Sequence, residues 1–388
     1  PFQIRAQGGG SRPAGRTRTS NGEGPLAGLR CLELCWIWSG PMVGQILADL
    51  GADVIKVEAP SRFDLYRTRG LEHRRQKMDE KTRIESSLYF HSLNRNKSGL
   101  ALDLKHVKGL DIALRLAEQS DLLIENFTAG TMERLGLDPD ALVQANPALV
   151  QMSMSGPGRG SSVEALRSYG LVLSALGGAE DFVRQGDEFL GSPTFSLSDP
   201  NAAALGAMGV LAGVLAADND GKGRAFDVSQ IEAAATLAGT PVPAPTTMNA
   251  MLTSADGYYV AVSLPADAFP DRDALLHAFA GDNHDDIGAR CASLGGHSME
   301  LLELEDTDAS DVFAACDGWV SSSHPYTGAE ELVAAPWRID GQRPGVGKHA
   351  PVLGADDRQV LARVLSLTND EIDSLVEAGV IGLAGQFK

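Results

Sequence analysis

The stretch from Leu29 to Pro60 constrains the fold more than any other part of the chain. Leu29–Ile37, LRCLELCWI, is a nearly continuous apolar run, the pattern of a strand buried on both faces. Gly40-Pro41 turns into MVGQILADLG; Pro41 suits a first helical turn and Gly51 ends the helix. ADVIKVEAP supplies a second strand. A strand, a helix and a strand in this space make a βαβ unit, which calls for a parallel sheet. The alternation continues. SLYFHSLNRNKSGLALDL reads as a turn and a strand, Lys108–Gln119 as an amphipathic helix, and DLLIENF as a strand. DPDALVQANP reads as a helix closed by Pro147, and ALVQMSMSG as a strand. GKGRAFDVSQIEAAATLAG gives a turn, a strand and a helix. The expected architecture is a doubly wound α/β domain. No GxGxxG follows the first strand, which argues against a nicotinamide site.

The texture changes after Pro241, Pro243 and Pro245. The expected division is a large α/β domain over 26–245, a smaller α+β domain over 246–335, and a C-terminal segment over 336–388 that returns to the large domain. In the small domain SADGYYVAVSL alternates like a half-exposed strand, DRDALLHAFAG is helical, and 281–311 reads as an acidic irregular stretch. The C-terminal segment reads as two helices, the second with Thr368 as N-cap and Glu371 at the capping-box position. Residues 1–25 read as a flexible polar tail, so another segment is expected to have preceded Pro1.

Charge restricts the partners. The 388 residues carry a formal net charge of −18, which repels nucleic acid and anionic membranes. The four cysteines form no CxxC pair, and a reducing cytoplasm is the expected compartment. Metal ligation is not expected: His284-Asp285-Asp286 reads as a solvated acidic loop, and His73, His91 and His349 lack partners at ligand spacing.

Phe195–Ala217, FSLSDPNAAALGAMGVLAGVLAA, contains a single charged residue, Asp199. Its apolar run, Ala202–Ala217, is shorter than the roughly 20 residues a bilayer span needs and reads as a buried helix of small residues. Locally, Ser198 or Asp199 reads as an N-cap. The other reading is a positioned carboxylate nucleophile.

Several motifs occur together and in order: GPMVGQILADLGADVIKVEAP, LNRNKSGLALDL, LLIENFTAGTMERLGLDPDALVQANPALV, MSMSGPG, GKGRAFDVSQIEAA and APVLGADDRQVLARVL. Across roughly residues 26–382 the chain resembles the class III CoA-transferases, which include formyl-CoA transferase and carnitine CoA-transferase, with α-methylacyl-CoA racemases as relatives. The resemblance implies a Rossmann-like large domain and a smaller domain in an interlocked dimer, or pairing with a homologous subunit. It implies transfer of CoA between an acyl-CoA and a carboxylic acid, with coenzyme A as cosubstrate and no metal. It places the nucleophile at Asp199, ahead of the small-residue helix. It places CoA contacts at Asn126, Phe127, Thr131 and Arg134 of ENFxxGxxxRLG, and at Arg167 and Trp38. Gly177 and Gly178 are expected to offer backbone N–H groups to a developing oxyanion.

The sequence departs from the family at several points. Trp36-Ile37-Trp38 replaces a His-Val-Gln run of formyl-CoA transferase, and Ala59 replaces an Arg for which Arg62, Arg67 or Arg69 would compensate. Gly170 replaces the usual acid, which argues against racemisation because glycine cannot carry a proton. Two rival readings remain open at the sequence level. One is a CoA-dependent lyase, dehydratase or isomerase on this scaffold. The other is a catalytically silent half of a heteromeric or double-length CoA-transferase.

Overall fold

The computed structural model describes residues 2–9, 24–70, 77–182, 184–185, 188–189, 196–238, 246–301 and 315–382. The proline cluster at 241–245, His73 and the acidic run 303–311 lie outside these residues.

The first strands and helices are β1 (Phe2–Gly9), β2 (Arg30–Leu34), α1 (Ser39–Asp49), β3 (Asp53–Glu58), α2 (Leu88–Asn94) and β4 (Ser98–Ala101); β2, α1, β3 and β4 follow the sequence closely. Next come α3 (Val107–Glu118), β5 (Leu122–Glu125), α4 (Thr131–Leu135), β6 (Val150–Ser155) and α5 (Gly170–Leu176). Then α6 (Ser198–Asp220), β7 (Lys222–Ser229) and α7 (Gln230–Ala238) complete the layer. The sheet order is β1-β7-β6-β5-β2-β3-β4, with every pair parallel except β1 against β7.

The direction in which successive strands are added therefore reverses between β2 and β5. From β2 the chain steps outward through β3 and β4; it then re-enters beside β2 at β5 and steps the other way. That is the doubly wound order, and its crevice lies outside the carboxyl ends of β2 and β5.

Alternation along the strands builds a core on each face. Cys31, Val54, Leu122 and Ile124 face one apolar cluster with Val43 and Leu47 of α1 and Val210 and Val214 of α6. Leu32, Ile55, Val57 and Leu123 face the other, with Ile112 and Leu116 of α3. α6 is long and apolar enough to cross a membrane by length and composition, yet it lies along β6 and β7 in this core. A Cβ on Gly213 would stand 2.5 Å from the Phe226 ring, so glycine sets how closely helix and sheet approach.

The segment expected to be a flexible tail forms β1 over Phe2–Gly9, an antiparallel edge strand. Phe2, Ile4 and Ala6 alternate with Gln3, Arg5 and Gln7, the period of a strand, and the Gly-rich composition that suggested a linker begins only at Gly8. α2 was expected as part of a turn. Ser87 caps it by accepting the Phe90 N–H, and Phe90 and His91 are buried.

The contacts divide the chain into Pro1–Gly239 with Val320–Lys388, and Thr240–Trp319. The sequence drew the corresponding lines at 246 and 336. The second unit holds β8 (Thr247–Thr253), β9 (Tyr259–Pro265), α8 (Arg272–Ala278), α9 (His284–Ser293) and β10 (His297–Glu300). Its three strands form an antiparallel sheet with its own core around Val260, Val262, Leu275 and Ile287. His284-Asp285-Asp286, expected in a loop, opens α9. Asn283 caps that helix, and acids in a first turn complement the helix dipole.

Within the first unit a hairpin, β11 (Trp319–His324) and β12 (Gly328–Val333), precedes the C-terminal helices α10 (Asp357–Leu365) and α11 (Asn369–Glu377). Val360, Leu361, Ile372 and Leu375 join the α3 side of the core. The Thr368–Glu371 capping box forms as the sequence indicated. Thr368→Ala is expected to lower the unfolding free energy by about 1 kcal/mol in urea titration, the usual cost of a lost N-cap.

Candidate active site

The loop after β2 is the centre of the site. Trp36 is gripped at both ends of its backbone by one side chain: its N–H donates to Asn126 Oδ1 at 2.8 Å, and Asn126 Nδ2 donates to its carbonyl at 2.8 Å. Asn126 follows β5, so this clamp bridges the two strands of the switch point. The Ile37 N–H donates to Asp64 Oδ1 at 3.0 Å. Ile37 has φ +70°, a left-handed backbone that costs a β-branched residue energy, and these anchors on either side enforce it. Asp64 is itself held by Lys56 Nζ at 3.0 Å, and Lys56 also meets Glu33 at 3.2 Å. Burial would lower the Lys56 pKa, but Asp64, Glu33 and Glu58 overcome it and hold the ammonium well above its usual range.

This strained turn delivers Ser39, the first residue of α1, to Asp199. Asp199 lies in the first turn of α6, and no side chain caps that helix, so the capping reading does not hold. Its carboxylate turns instead toward hydroxyls and a backbone N–H. Ser196 Oγ donates to Oδ2 at 3.1 Å. Burial pushes the carboxyl up, and hydrogen bonds from Ser196, from the Ser39 hydroxyl and from the Ser39 N–H pull it back down. Ser198 Oγ donates to the Gly170 carbonyl at 2.9 Å, and Ser174 Oγ accepts the Ser198 N–H at 3.1 Å, fixing α5 against the start of α6. Tyr66 lies close by; burial and the Asp199 charge push its hydroxyl up to about 12.

Gly170 has a specific steric role here. A Cβ at this position would stand 2.0 Å from Asp199 Oδ2 and 2.0 Å from Ser196 Oγ. The missing side chain is the space the carboxylate occupies.

The other expected positions divide. Phe127 packs edge-on against Trp36 with ring centroids 6.0 Å apart, and Arg62 lies over the same indole at 5.1 Å. The Asn126 side chain is spent on Trp36, so it shapes the loop rather than standing free for a ligand. Arg134 is exposed and donates to Thr131 Oγ1 at 2.7 Å. It lines an open cavity of about 470 Å³ with Lys105, Glu133, Leu104, Val107 and Leu110, so two cations and one acid surround an apolar floor. Arg167 is exposed on the segment before α5, and Trp38 is half-buried at the α1 N-cap.

Two expectations are corrected. Gly177 and Gly178 do not present N–H groups to a ligand. They donate to the Leu173 and Ala175 carbonyls at 2.9 and 3.0 Å, closing α5, and a Cβ on Gly177 would meet Ala234 of α7 at 2.6 Å. Arg67 is no substitute phosphate ligand: it is fully buried and paired with Glu58 at 2.8 Å and Glu85 at 2.7 Å.

His91 does find partners, at long range. His91, His324 and Glu330 bring potential ligand atoms within 4.8 Å of one another. His91 Nδ1 meets Glu330 Oε1 at 2.6 Å, and Nε2 meets the Glu85 carbonyl at 3.1 Å, so both ring nitrogens face acceptors. His324 turns Nδ1 to the Tyr326 N–H at 3.3 Å. Burial and the neighbouring His91 hold its pKa down to about 3. The arrangement pins the β11–β12 hairpin to α2.

Ser39, Tyr66, Ser196 and Gln230 were not singled out from the sequence. Ser196 stands three residues before Asp199; Ser39, Tyr66 and Gln230 reach Asp199 or its surroundings through tertiary contact. The one local signal was Ser39 at the mouth of α1, directly after a switch-point strand.

Comparison with known proteins identifies the family. Residues 26–301 match the model of CoA-transferase family III. The chain is 28% identical over 373 residues to the succinyl-CoA–D-citramalate CoA-transferase of Chloroflexus aurantiacus, covering 90% of each. It is 34% identical over 221 residues to the succinyl-CoA:mesaconate CoA-transferase of Haloarcula hispanica, a match spanning 55% of this chain and 54% of that one. The crystal structure of a CAIB/BAIF family protein from Brucella suis superposes with a TM-score of 0.74 at 23% identity, over 88% of this chain and 99% of the other, a likeness of fold. With a family model that matches residues 26–301 and a doubly wound sheet, the chain belongs to CoA-transferase family III.

Proposed function

We propose that this chain is an acyl-CoA:carboxylate CoA-transferase with Asp199 as its nucleophile. The observation that carries the reading is the carboxylate of Asp199: half-buried, opposite a side-chain-free Gly170, and held by hydroxyl and N–H donors. A carboxylate without a tight cationic partner keeps its nucleophilicity, and partial desolvation sharpens it.

The steps balance as follows. An Asp199 oxygen attacks the thioester carbonyl, the C–S bond breaks, and CoA leaves as thiolate, giving a mixed anhydride. The thiolate attacks the Asp199 carbonyl carbon, releasing the first acid and leaving an aspartyl–CoA thioester. An acceptor carboxylate attacks that same carbon and expels the thiolate. The thiolate then attacks the acceptor's acyl carbon, forming the new thioester and restoring Asp199.

The relatives named as succinyl-CoA and formyl-CoA:oxalate CoA-transferases support an acid-to-acid reaction. Gly170 weighs against proton-transfer chemistry, since no acid stands opposite Asp199. The Arg134–Lys105 cavity suits the phosphate-bearing end of CoA. Arg134→Ala is expected to weaken CoA binding by about 1.5–3 kcal/mol, as for a charged hydrogen bond. Equal calorimetric affinity would remove the phosphate role.

The test of the reaction class is isotope exchange. Enzyme supplied with succinyl-CoA or acetyl-CoA and a panel of labelled carboxylic acids is expected to move label into a CoA thioester only when a second acid is present. Turnover of the thioester without an acceptor acid would favour a lyase or isomerase.

A further inference from the structure

We propose that Gln230 and Ser39 form a hydrogen-bond relay that positions the Asp199 carboxylate: Ser39 holds it, and Gln230 orients Ser39. The proposal rests on Asp199 as nucleophile and deepens that reading.

Ser39 opens α1 and Gln230 opens α7, 191 residues apart, and both are buried. Gln230 Nε2 donates to Ser39 Oγ at 2.8 Å. A hydroxyl has one proton and accepts on its lone pairs. With the amide N–H on the accepting side, the Ser39 proton is left to donate, and Asp199 is the carboxylate that Ser39 faces. The Ser39 N–H belongs to the first helical turn, where backbone donors have no partner within the helix, and it points to the same carboxylate. One residue thus supplies two donors, and the far end of the relay fixes which way the hydroxyl turns.

Gln230 pays a cost that packing does not explain. Among the described residues its Oε1 is buried with no hydrogen-bond partner, and an unpaired buried carbonyl destabilises a fold. Leucine would fill similar space without that cost. What the amide supplies and leucine cannot is the N–H to Ser39.

Among the described residues, the titratable group that feels the Asp199 charge is Tyr66, whose hydroxyl stays neutral across the range tested. The ionisation of Asp199 is therefore readable from stability. Urea midpoints measured from pH 4 to 8 for the full chain and for Asp199→Asn differ by an amount that traces that ionisation. The same pair of measurements is then made in Ser39→Ala, Gln230→Leu and the double variant. Ser39→Ala is expected to move the transition upward by about one pH unit, a tenfold change in proton affinity. Gln230→Leu is expected to move it less, and the double variant no further than Ser39→Ala alone. Compared in the Asp199→Asn background, Gln230→Leu is expected to unfold at an equal or higher urea midpoint. Ser39→Thr, which keeps the hydroxyl, is expected to titrate as the parent does.

An unchanged transition in Ser39→Ala, or strictly additive shifts, would overturn the relay. If Ser39→Ala does not fold, Gln230→Leu decides alone: an upward shift supports the relay and no shift refutes it. Loss of exchange in Asp199→Asn together with unmoved titrations would leave the nucleophile standing without the relay. Exchange that persists in Asp199→Asn would remove the nucleophile whatever the titrations show.

Discussion

Asp199→Asn will abolish CoA exchange while leaving CoA binding in place, and it will make the folded chain more stable at neutral pH. The first effect follows from the chemistry. An amide cannot attack a thioester as a carboxylate does, and loss of a covalent nucleophile costs about 10⁴-fold or more in kcat. Binding persists because the cations flanking the 470 Å³ cavity, Arg134 and Lys105, are untouched. The second effect follows from burial. The folded carboxyl is raised by desolvation beyond what Ser196 and Ser39 recover. A raised acid contributes stability while it is protonated in both states, and that contribution is lost as pH rises through its folded value. At pH 7 the chain therefore carries a partly desolvated charge that Asn removes. Its stability advantage should shrink as the pH falls into the carboxylate range. Urea titrations at pH 7 and pH 4 check the sign; a variant less stable at pH 7 would show that the carboxylate is better satisfied than its surroundings indicate.

Gly170→Ala is expected to lower kcat/KM by about 10²-fold or more with CoA affinity unchanged. Its Cβ would fall 2.0 Å from both Asp199 Oδ2 and Ser196 Oγ, well inside contact distance. One of them must move, and Ser196 is itself a donor to Asp199 at 3.1 Å. Displacing a reacting atom by about an ångström is enough for a loss of that size. Overpacking should also destabilise the chain by about 1–3 kcal/mol. Steady-state kinetics and calorimetric CoA titration on one preparation separate the two effects. An alanine variant as active as the parent would mean that the carboxylate does not occupy this space during turnover. A side chain at residue 170 and this placement of Asp199 exclude one another. That gives the loss of the acid at this position a structural reason beyond the absence of racemase chemistry.

The sheet was legible because its signal is local. Apolar runs such as LRCLEL and DLLIE are long enough to report burial on both faces, and the helices between them carry ordinary starts and stops. The Thr368–Glu371 capping box was legible for the same reason. Elements decided by a single polar residue were harder. α2 and α9 each start at one cap, Ser87 and Asn283, inside segments whose composition resembles a turn or an acidic loop. The tail at Phe2–Gly9 becomes a strand by pairing with β7, more than 200 residues away; its short apolar alternation was masked by the Gly-rich composition that follows it.

The candidate site divides the same way. Asp199 stood out as an isolated acid beside a small-residue helix, but locally it read as a cap; the resemblance made it the candidate nucleophile. Its partners did not stand out, since a serine or glutamine is unremarkable until the fold turns it inward. Gly177-Gly178 misled because two glycines suggest open backbone, whereas here they end α5 and admit α7. Arg67 misled because an arginine in a charged loop suggests solvent, whereas Glu58 and Glu85 draw it fully inside.

The central claim is that Asp199 becomes covalently bonded to the group it transfers. Mass spectrometry of the peptide containing Asp199, after brief incubation with succinyl-CoA or acetyl-CoA and trapping with hydroxylamine, tests it most directly. The expected result is a hydroxamate at Asp199 that depends on the acyl-CoA and is absent in Asp199→Asn. Enzyme that exchanges CoA at full rate while its Asp199 peptide stays unmodified under the same trapping would contradict the account.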